Sequence, residues 1–231
     1  MLSKPVKPKL AASVILLRNI PPNSEILMIK RHKNMKFLGG FHAFPGGKME
    51  FDDQVLNDIN YFENNFSNES RRFFQIENKD IETKLIHALY ITAIRELFEE
   101  VGVLLVTNEE DQLINLEIIN NLNKIIELRK KLLTKESKFS QILNDNKLKP
   151  IYHHLKPFKH FITPEISPIR YDTYFFTLKM PQNQKVLSLS KEIEDYRWLE
   201  PKEALKKYNQ GEIKLIPPQL ACITDLKKLN R

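Results

Sequence analysis

The ten residues Ile94-Arg95-Glu96-Leu97-Phe98-Glu99-Glu100-Val101-Gly102-Val103, IRELFEEVGV, decide how the rest of the chain is read. At 100° per residue, Glu96, Glu99 and Glu100 fall on one face of a helix, with Ile94, Leu97 and Val101 on the other. Glu96 and Glu100 are one turn, about 6 Å, apart along the axis. Three like charges at that spacing repel unless a cation lies among them or the face is simply solvated. Divalent cations such as Mg²⁺ or Mn²⁺ suit the face well, because they take carboxylate oxygens and bridge to phosphates. Arg95 points partly away from the acids and, four residues before Glu99, can orient it. Gly102 falls where a left-handed C-cap ends the helix.

Around this helix the chain has 231 residues, 42% of them hydrophobic and 28% charged, enough for one sizeable core and unlike a disordered chain. The net charge is +7, but the basic residues are scattered (Lys30-Arg31-His32-Lys33, Arg129-Lys130-Lys131, Lys206-Lys207) and not interleaved with aromatics. The surplus suits a solvated surface or the attraction of small phosphates, and no nucleic-acid partner is expected. Cys222 is the only cysteine, which excludes an internal disulfide and a cysteine-based zinc site. Lys4, Lys7 and Lys9 precede the apolar run Leu10 to Leu17, but Arg18-Asn19-Ile20-Pro21-Pro22 follows it, so a first strand is expected and not a signal peptide. No apolar run reaches the ~20 residues of a membrane span. A cytoplasmic monomer or homodimer is the expectation; the terminal LNR is not a Ser-Lys-Leu address.

Leu10–Arg18 and Glu25–Arg31 read as a strand pair about the turn signal PPNS. The loop FLGGFHAFPGGK then holds four of the six glycines. Residues 50–80 are polar with aromatic patches (Tyr61, Phe62, Phe66, Phe73, Phe74) and poor periodicity, an inserted and partly helical excursion. Residues 81–102 have helical spacing. Residues 108–144 are apolar at Leu113, Leu116, Ile119, Leu122, Ile126, Leu132 and Leu133, consistent with two or three helices. Strands return at 158–163 and 171–180; Pro201 opens a short helix and Pro217-Pro218 a final one.

Arg95-Glu96-Leu97-Phe98-Glu99-Glu100-Val101-Gly102-Val103 resembles the second half of the Nudix box, R-E-aliphatic-x-E-E-x-G-aliphatic. The first half of that box places a glycine and, after five residues, a glutamate, seven residues ahead of the arginine. At that spacing the chain offers Ile81 and His87, which do not match. FPGGKMEFDD, Phe44 to Asp53, supplies the missing half, with Gly47 followed after five residues by Asp53 in place of glutamate. Between Asp53 and Arg95 lie 41 residues, so 34 are inserted. Upstream, Leu27-Met28-Ile29, Arg31, Lys36, Gly40 and Phe44-Pro45-Gly46-Gly47 resemble the motif of coenzyme A-cleaving Nudix hydrolases. The departures are Met28 and Ile29 for Leu-Thr, His32 for a small residue, and Lys36 for arginine. ITPEISPIRYDTYFF and EIEDYRWLEPKEAL are similar to blocks of the acyl-coenzyme A diphosphatase subfamily.

The resemblance implies an α/β Nudix fold, a mixed β-sheet sandwiched between helices, in one domain over residues 10–229 with helical insertions at about 54–88 and 108–150. It implies Mg²⁺ or Mn²⁺ on Glu96, Glu99, Glu100 and the carbonyl of Gly47, with Glu99, Glu96 and Arg95 as the catalytic set and Arg95 an orienting partner. Asp53, being short, is in doubt for the contact its glutamate counterpart makes. Substrate contacts are expected from Arg31, Lys36, Gly46, Glu50 and Arg170, and Glu165, Glu192 and Glu194 are candidate general bases. The substrate class implied is a nucleoside diphosphate derivative, first coenzyme A or acyl-coenzyme A. Alternatives are another Nudix substrate, such as ADP-ribose, NADH or a dinucleoside polyphosphate, or a Nudix-like binding module. The isoprenoid diphosphate isomerase branch needs a cysteine at its site, and Cys222 lies far along the chain.

Overall fold

Alternation in the first strand splits the molecule into two cores. Ala12, Val14 and Leu16 point one way, and Ile15 points the other, the period-two pattern of a strand buried on both faces. A computed structural model describes residues 6–19, 23–36, 38–56, 58–115, 119–187 and 190–229. Four strands come first: β1 (Lys9–Arg18), β2 (Glu25–Arg31), β3 (His42–Ala43) and β4 (Gly46–Lys48). A 3-10 turn at Asp52–Gln54 leads to α1 (Ile59–Asn65), α2 (Asn68–Glu77) and the long α3 (Thr83–Val101). Next are β5 (Val106–Thr107), α4 (Ile119–Leu133), α5 (Phe139–Asp145) and β6 (Lys149–Pro150). β7 (Lys156–Ile162), β8 (Tyr171–Lys179), β9 (Ile193–Leu199), α6 (Pro201–Asn209) and α7 (Pro217–Leu229) complete the described chain.

β1 organises the mixed sheet. It runs parallel to β8 from Lys9 opposite Tyr171 to Leu17 opposite Lys179. It pairs antiparallel with β4 at Ala12 and Gly47, and with β2 at Leu17 and Ile26. β7 lies beyond β8, while β3 and β9 pair with β2. On one face Val14, Leu16, Leu27 and Ile29 pack with Leu89, Ala93, Ile94 and Leu97 of α3. On the other, Ile15, Ile26, Met28 and Phe175 pack with Ala204 of α6 and Ile223 and Leu226 of α7. α3 therefore lies against β1 and β4, which carries the glycines to the acidic helix.

The aromatic patches before α3 acquire their reason here. Phe62, Phe66 and Phe74 bury against Tyr90 of α3 and Tyr152, with the Phe62 and Tyr152 rings perpendicular at 4.9 Å. Several details differ from the expectations. β9 is a strand that residues 194–199 did not announce, and Gly46–Lys48 is a strand and not a free turn. On α4 the buried stripe is Ile125, Leu128 and Leu132, whereas Ile126 and Leu133 are exposed, as is Leu113 before it. Lys4, Ile20-Pro21-Pro22, Leu116 and the terminal Asn230-Arg231 lie outside the described residues, as does the side chain of Ile119. Among the described residues no helix is long and apolar enough to cross a membrane.

Candidate active site

Arg95 lies beneath the acids rather than away from them, only 3% exposed. Its Nε and Nη2 donate to the two oxygens of Asp53 at 2.8 and 2.9 Å, the bidentate geometry that suits a guanidinium and a carboxylate. Nη2 also donates to the Lys48 carbonyl of β4 at 3.0 Å. Nη1 reaches Glu96 Oε1 at 2.8 Å and Glu99 Oε2 at 3.3 Å. Asp53 is wholly buried and further accepts from Thr92 Oγ1 and the Glu50 amide at 2.9 and 2.8 Å. The shorter acid therefore does reach the arginine. Burial works against the charge of Arg95, but the Asp53 hydrogen bond and the surrounding carboxylates raise its pKa.

The two halves of the motif, distant in sequence, close on each other through the glycines. The Gly46 amide donates to Glu100 Oε2 at 2.8 Å. A methyl group on Gly47 would lie 2.4 Å from Glu96 Oε1, so only glycine lets that carboxylate lie against β4. Glu100 is buried and the Glu96 side chain 12% exposed, so a merely solvated acidic face does not describe them. Burial raises the pKa of Glu96, Glu99 and Glu100 alike, and Glu96 adds to the effect at Glu100. Negative charge is thus in excess over what Arg95 offsets. Carboxylates and strand carbonyls are the hard oxygen donors that Mg²⁺ or Mn²⁺ prefer, and the donor set fits such an ion. Among the described residues no three His, Cys, Asp or Glu side chains converge on one point; Arg95 engages Glu96 and Glu99, and the Gly46 amide engages Glu100.

The remaining predicted residues divide by position. Arg31, at the end of β2, lowers the pKa of Glu100 through its charge, and its Nε is buried without a hydrogen-bond partner. Glu50 bears on Glu99, and Glu192 bears on Glu100. Lys36 is exposed in the loop between β2 and β3. Glu194 is engaged by Lys30 at 2.9 Å, and Glu165 is exposed in the β7–β8 loop. Arg170 does not fit a phosphate role: it is buried, donating to the carbonyls of Thr163 and Val6 at 2.9 and 2.8 Å. It precedes β8 and lies across β1 from β4, with its guanidinium committed to holding the chain before β1. Cys222 is buried in the second core, its thiol pushed up to about 12 by that burial, on the opposite face of the sheet from Glu96.

One contributor escaped the sequence reading. Arg129 of α4 donates to the Glu99 carbonyl at 2.9 Å and the Glu100 carbonyl at 3.0 Å. A signal existed, since residue 129 falls on the stripe formed by Ile125, Leu128 and Leu132. It was masked by the basic run Arg129-Lys130-Lys131, which resembles a solvated face. α5 is tied in similarly, with the Ser140 amide and hydroxyl donating to Asp52 at 3.0 and 2.7 Å, one residue from Asp53.

The chain is 28% identical to an acyl-coenzyme A diphosphatase, NUDT19, of Xenopus laevis, across 87% of this chain and 59% of that protein. It is also 28% identical to a putative nudix hydrolase 7 of Caenorhabditis elegans, across 95% of this chain and 60% of the relative. The chain thus spans about three fifths of the length of these curated relatives. The crystal structure of a Nudix hydrolase from Alicyclobacillus acidocaldarius superposes with a TM-score of 0.73 at 22% identity, over 96% of this chain and 92% of that one. That likeness concerns the fold, the mixed sheet between helices described above. The family model described as the NUDT19 Nudix domain matches residues 9–226, and by that match the chain belongs to the NUDT19 Nudix domain family.

Proposed function

We propose that the protein is a divalent metal-dependent hydrolase of a nucleoside diphosphate derivative, with coenzyme A or an acyl-coenzyme A as substrate. The observation that carries the reading is the closure of Gly46 and Gly47 onto Glu100 and Glu96, with Asp53 locking Arg95 beneath. A binding module that had abandoned chemistry would not need three carboxylates held together against their mutual repulsion. The 28% similarity to an acyl-coenzyme A diphosphatase and the upstream run from Leu27 to Gly47 support the choice of substrate. Products would be 4′-phosphopantetheine, or its acyl derivative, and 3′,5′-ADP. The single domain over 10–229 and a cytoplasmic location belong to the same proposal.

In this reading Glu96, Glu99, Glu100 and the Gly47 carbonyl hold Mg²⁺ or Mn²⁺. When bound, such an ion supplies charge neutralisation on the diphosphate and a water of lowered pKa. Arg95 keeps Glu96 and Glu99 oriented without touching substrate, and Asp53 keeps Arg95 oriented. Arg31 offers a buried, unpartnered donor beside Glu100 for a phosphate oxygen. Of the three candidate bases, Glu194 is paired with Lys30, while Glu192 lies beside the end of β2 with its carbonyl accepting from the His32 amide at 2.7 Å and is the first to test as the base. Lys36 and Glu50 flank the substrate.

The test is one panel. The protein is incubated with Mg²⁺ and coenzyme A, ADP-ribose, NADH, a diadenosine polyphosphate or a nucleoside triphosphate, and the products are separated. Release of 3′,5′-ADP from coenzyme A ahead of the others is the expected result. Preferential cleavage of another compound would replace the substrate. No cleavage of any, or undiminished cleavage by Glu99→Gln, would overturn the catalytic reading.

A further inference from the structure

A helix leaves its last four carbonyls without partners inside the helix, and at α3 each of them is met. The Gly102 amide, in its left-handed C-cap with φ of 73°, returns to Phe98 O at 3.0 Å. The Leu187 amide takes Val101 O at 3.0 Å. The two between, Glu99 O and Glu100 O, are taken by the single guanidinium of Arg129 from α4. These two carbonyls belong to residues whose side chains are two of the three proposed carboxylate ligands. Arg129 is 4% exposed, so it is committed to this position and not to solvent.

The electrostatics make the same point. The C-terminal end of a helix carries the negative pole of its dipole, which disfavours acids in the last turn. Glu99 and Glu100 stand there nonetheless, in a turn where burial already disfavours their charge. Burial works against the charge of Arg129 as well, and Glu100 and Glu99 favour it. The backbone bonds fix the φ and ψ of the turn, and through them the direction in which both carboxylates leave the helix.

We propose that Arg129 is a positioning residue for the metal-binding glutamates. It holds the last turn of α3 so that Glu99 and Glu100 can converge on one divalent cation. On this account α4, outside the motif, is part of the catalytic apparatus and not a decoration. The inference rests on the metal-dependent reading proposed above and adds to it a residue that touches neither metal nor substrate.

The experiment measures Mn²⁺ binding directly, from the free-ion signal in electron paramagnetic resonance, on the purified full chain. Arg129→Met keeps the apolar stem and removes every guanidinium hydrogen bond to the Glu99 and Glu100 carbonyls. Arg129→Lys keeps the charge but replaces the planar fork with a single ammonium, and provides a folded variant if the methionine change unfolds the chain. Lys130→Met removes one positive charge from the exposed neighbouring position and controls for net charge. Removing an outer support of a metal site costs about 10–100-fold in affinity, so at least about tenfold weaker Mn²⁺ binding is expected for Arg129→Met. Arg129→Lys should fall between it and the wild type, and Lys130→Met should bind as the wild type does. In turnover, the Mn²⁺ concentration for half-maximal rate should rise while the substrate KM holds. Unchanged Mn²⁺ affinity in a folded Arg129→Met or Arg129→Lys protein would overturn the proposal. So would an equal loss in Lys130→Met, which would make the effect one of charge alone. Wild-type protein that binds no Mn²⁺ would instead overturn the metal-dependent reading, and the role of Arg129 would fall with it.

Discussion

Gly46 and Gly47 are neighbours in one short strand, yet they exclude a side chain for different reasons, and the two substitutions should separate. A methyl group at Gly46 would meet backbone, Ala12 O at 2.4 Å and Ser13 Cα at 2.6 Å, so the β1–β4 pairing must shift. Gly46→Ala should therefore lose about 1–3 kcal/mol of stability, read from urea unfolding. At Gly47 the obstacle is the far end of the flexible Glu96 side chain, which can swing aside while Arg95 keeps Asp53 and Glu99 as partners. Gly47→Ala should unfold within about 0.5 kcal/mol of the wild type but lose diphosphate hydrolysis by about 100-fold, since the displaced carboxylate is a proposed ligand. Equal stability losses in the two variants would contradict this division. Asp53 presents a third case. Asp53→Asn keeps the shape but removes the charge facing a buried guanidinium, and a broken buried pair costs about 3–5 kcal/mol. Denaturant unfolding checks it, and a loss below about 1 kcal/mol would mean that Glu96 and Glu99 suffice to balance Arg95.

At the level of elements, the sequence showed what depends on local pattern and hid what depends on distant packing. α3 was legible because its apolar residues, its acids and Gly102 all obey one period. The partnership of Gly47 and Asp53 with Arg95 was legible only as matching residues on either side of an insertion. β4 was not, because two glycines carry no hydrophobic alternation, and β9 was not, because it is buried mainly at its ends, Ile193 and Leu199. On α4, Leu122 and Leu132 do pack in the core, whereas Ile126 and Leu133 are exposed and Ile125 and Leu128 carry the stripe instead. Nor could any local pattern reveal how the first insertion is pinned. Asp58, before α1, lies 2.7 Å from His87 Nε2 of α3 and accepts from the Tyr152 hydroxyl. Burial pushes the Asp58 pKa up, but the His87 and Tyr152 contacts outweigh it and hold the carboxyl below its ordinary value. A depressed acid contributes stability that is present above its unfolded pKa of ~3.9 and lost as pH falls through the folded value. Asp58→Asn should therefore lower stability at pH 7 and flatten the loss seen below about pH 4. Acid unfolding curves followed by circular dichroism would test this, and an unchanged acid limb would assign that loss to other carboxylates.

For the molecule as a whole, the excess of buried negative charge couples stability to the proposed metal in a measurable way. Burial raises the pKa values of Glu96, Glu99 and Glu100 alike, so the metal-free fold bears a cost there, either for keeping a carboxylate ionised or for taking up a proton. Two routes lead out of that cost, and they should compete. A cation that binds the folded state alone stabilises it by about 2.7 kcal/mol at a hundred times its dissociation constant, which for this size means a Tm rise of about 5–10 °C. Alternatively Glu100→Gln removes the charge while its side-chain oxygen can still accept from the Gly46 amide, so the metal-free protein should become more stable by about 1 kcal/mol or more. The same substitution should abolish most of the Mg²⁺-induced rise and most of the hydrolysis. Melting curves of wild type and Glu100→Gln, each with chelator and with Mg²⁺, give four values whose pattern decides the matter. A variant less stable than wild type in chelator would show that the charge of Glu100 supports the fold. A variant that still gains the full Mg²⁺ increment would place the ion elsewhere. The expected pattern, a gain without metal and no response to it, would identify the acidic face as a site where stability is held below its attainable value in favour of binding.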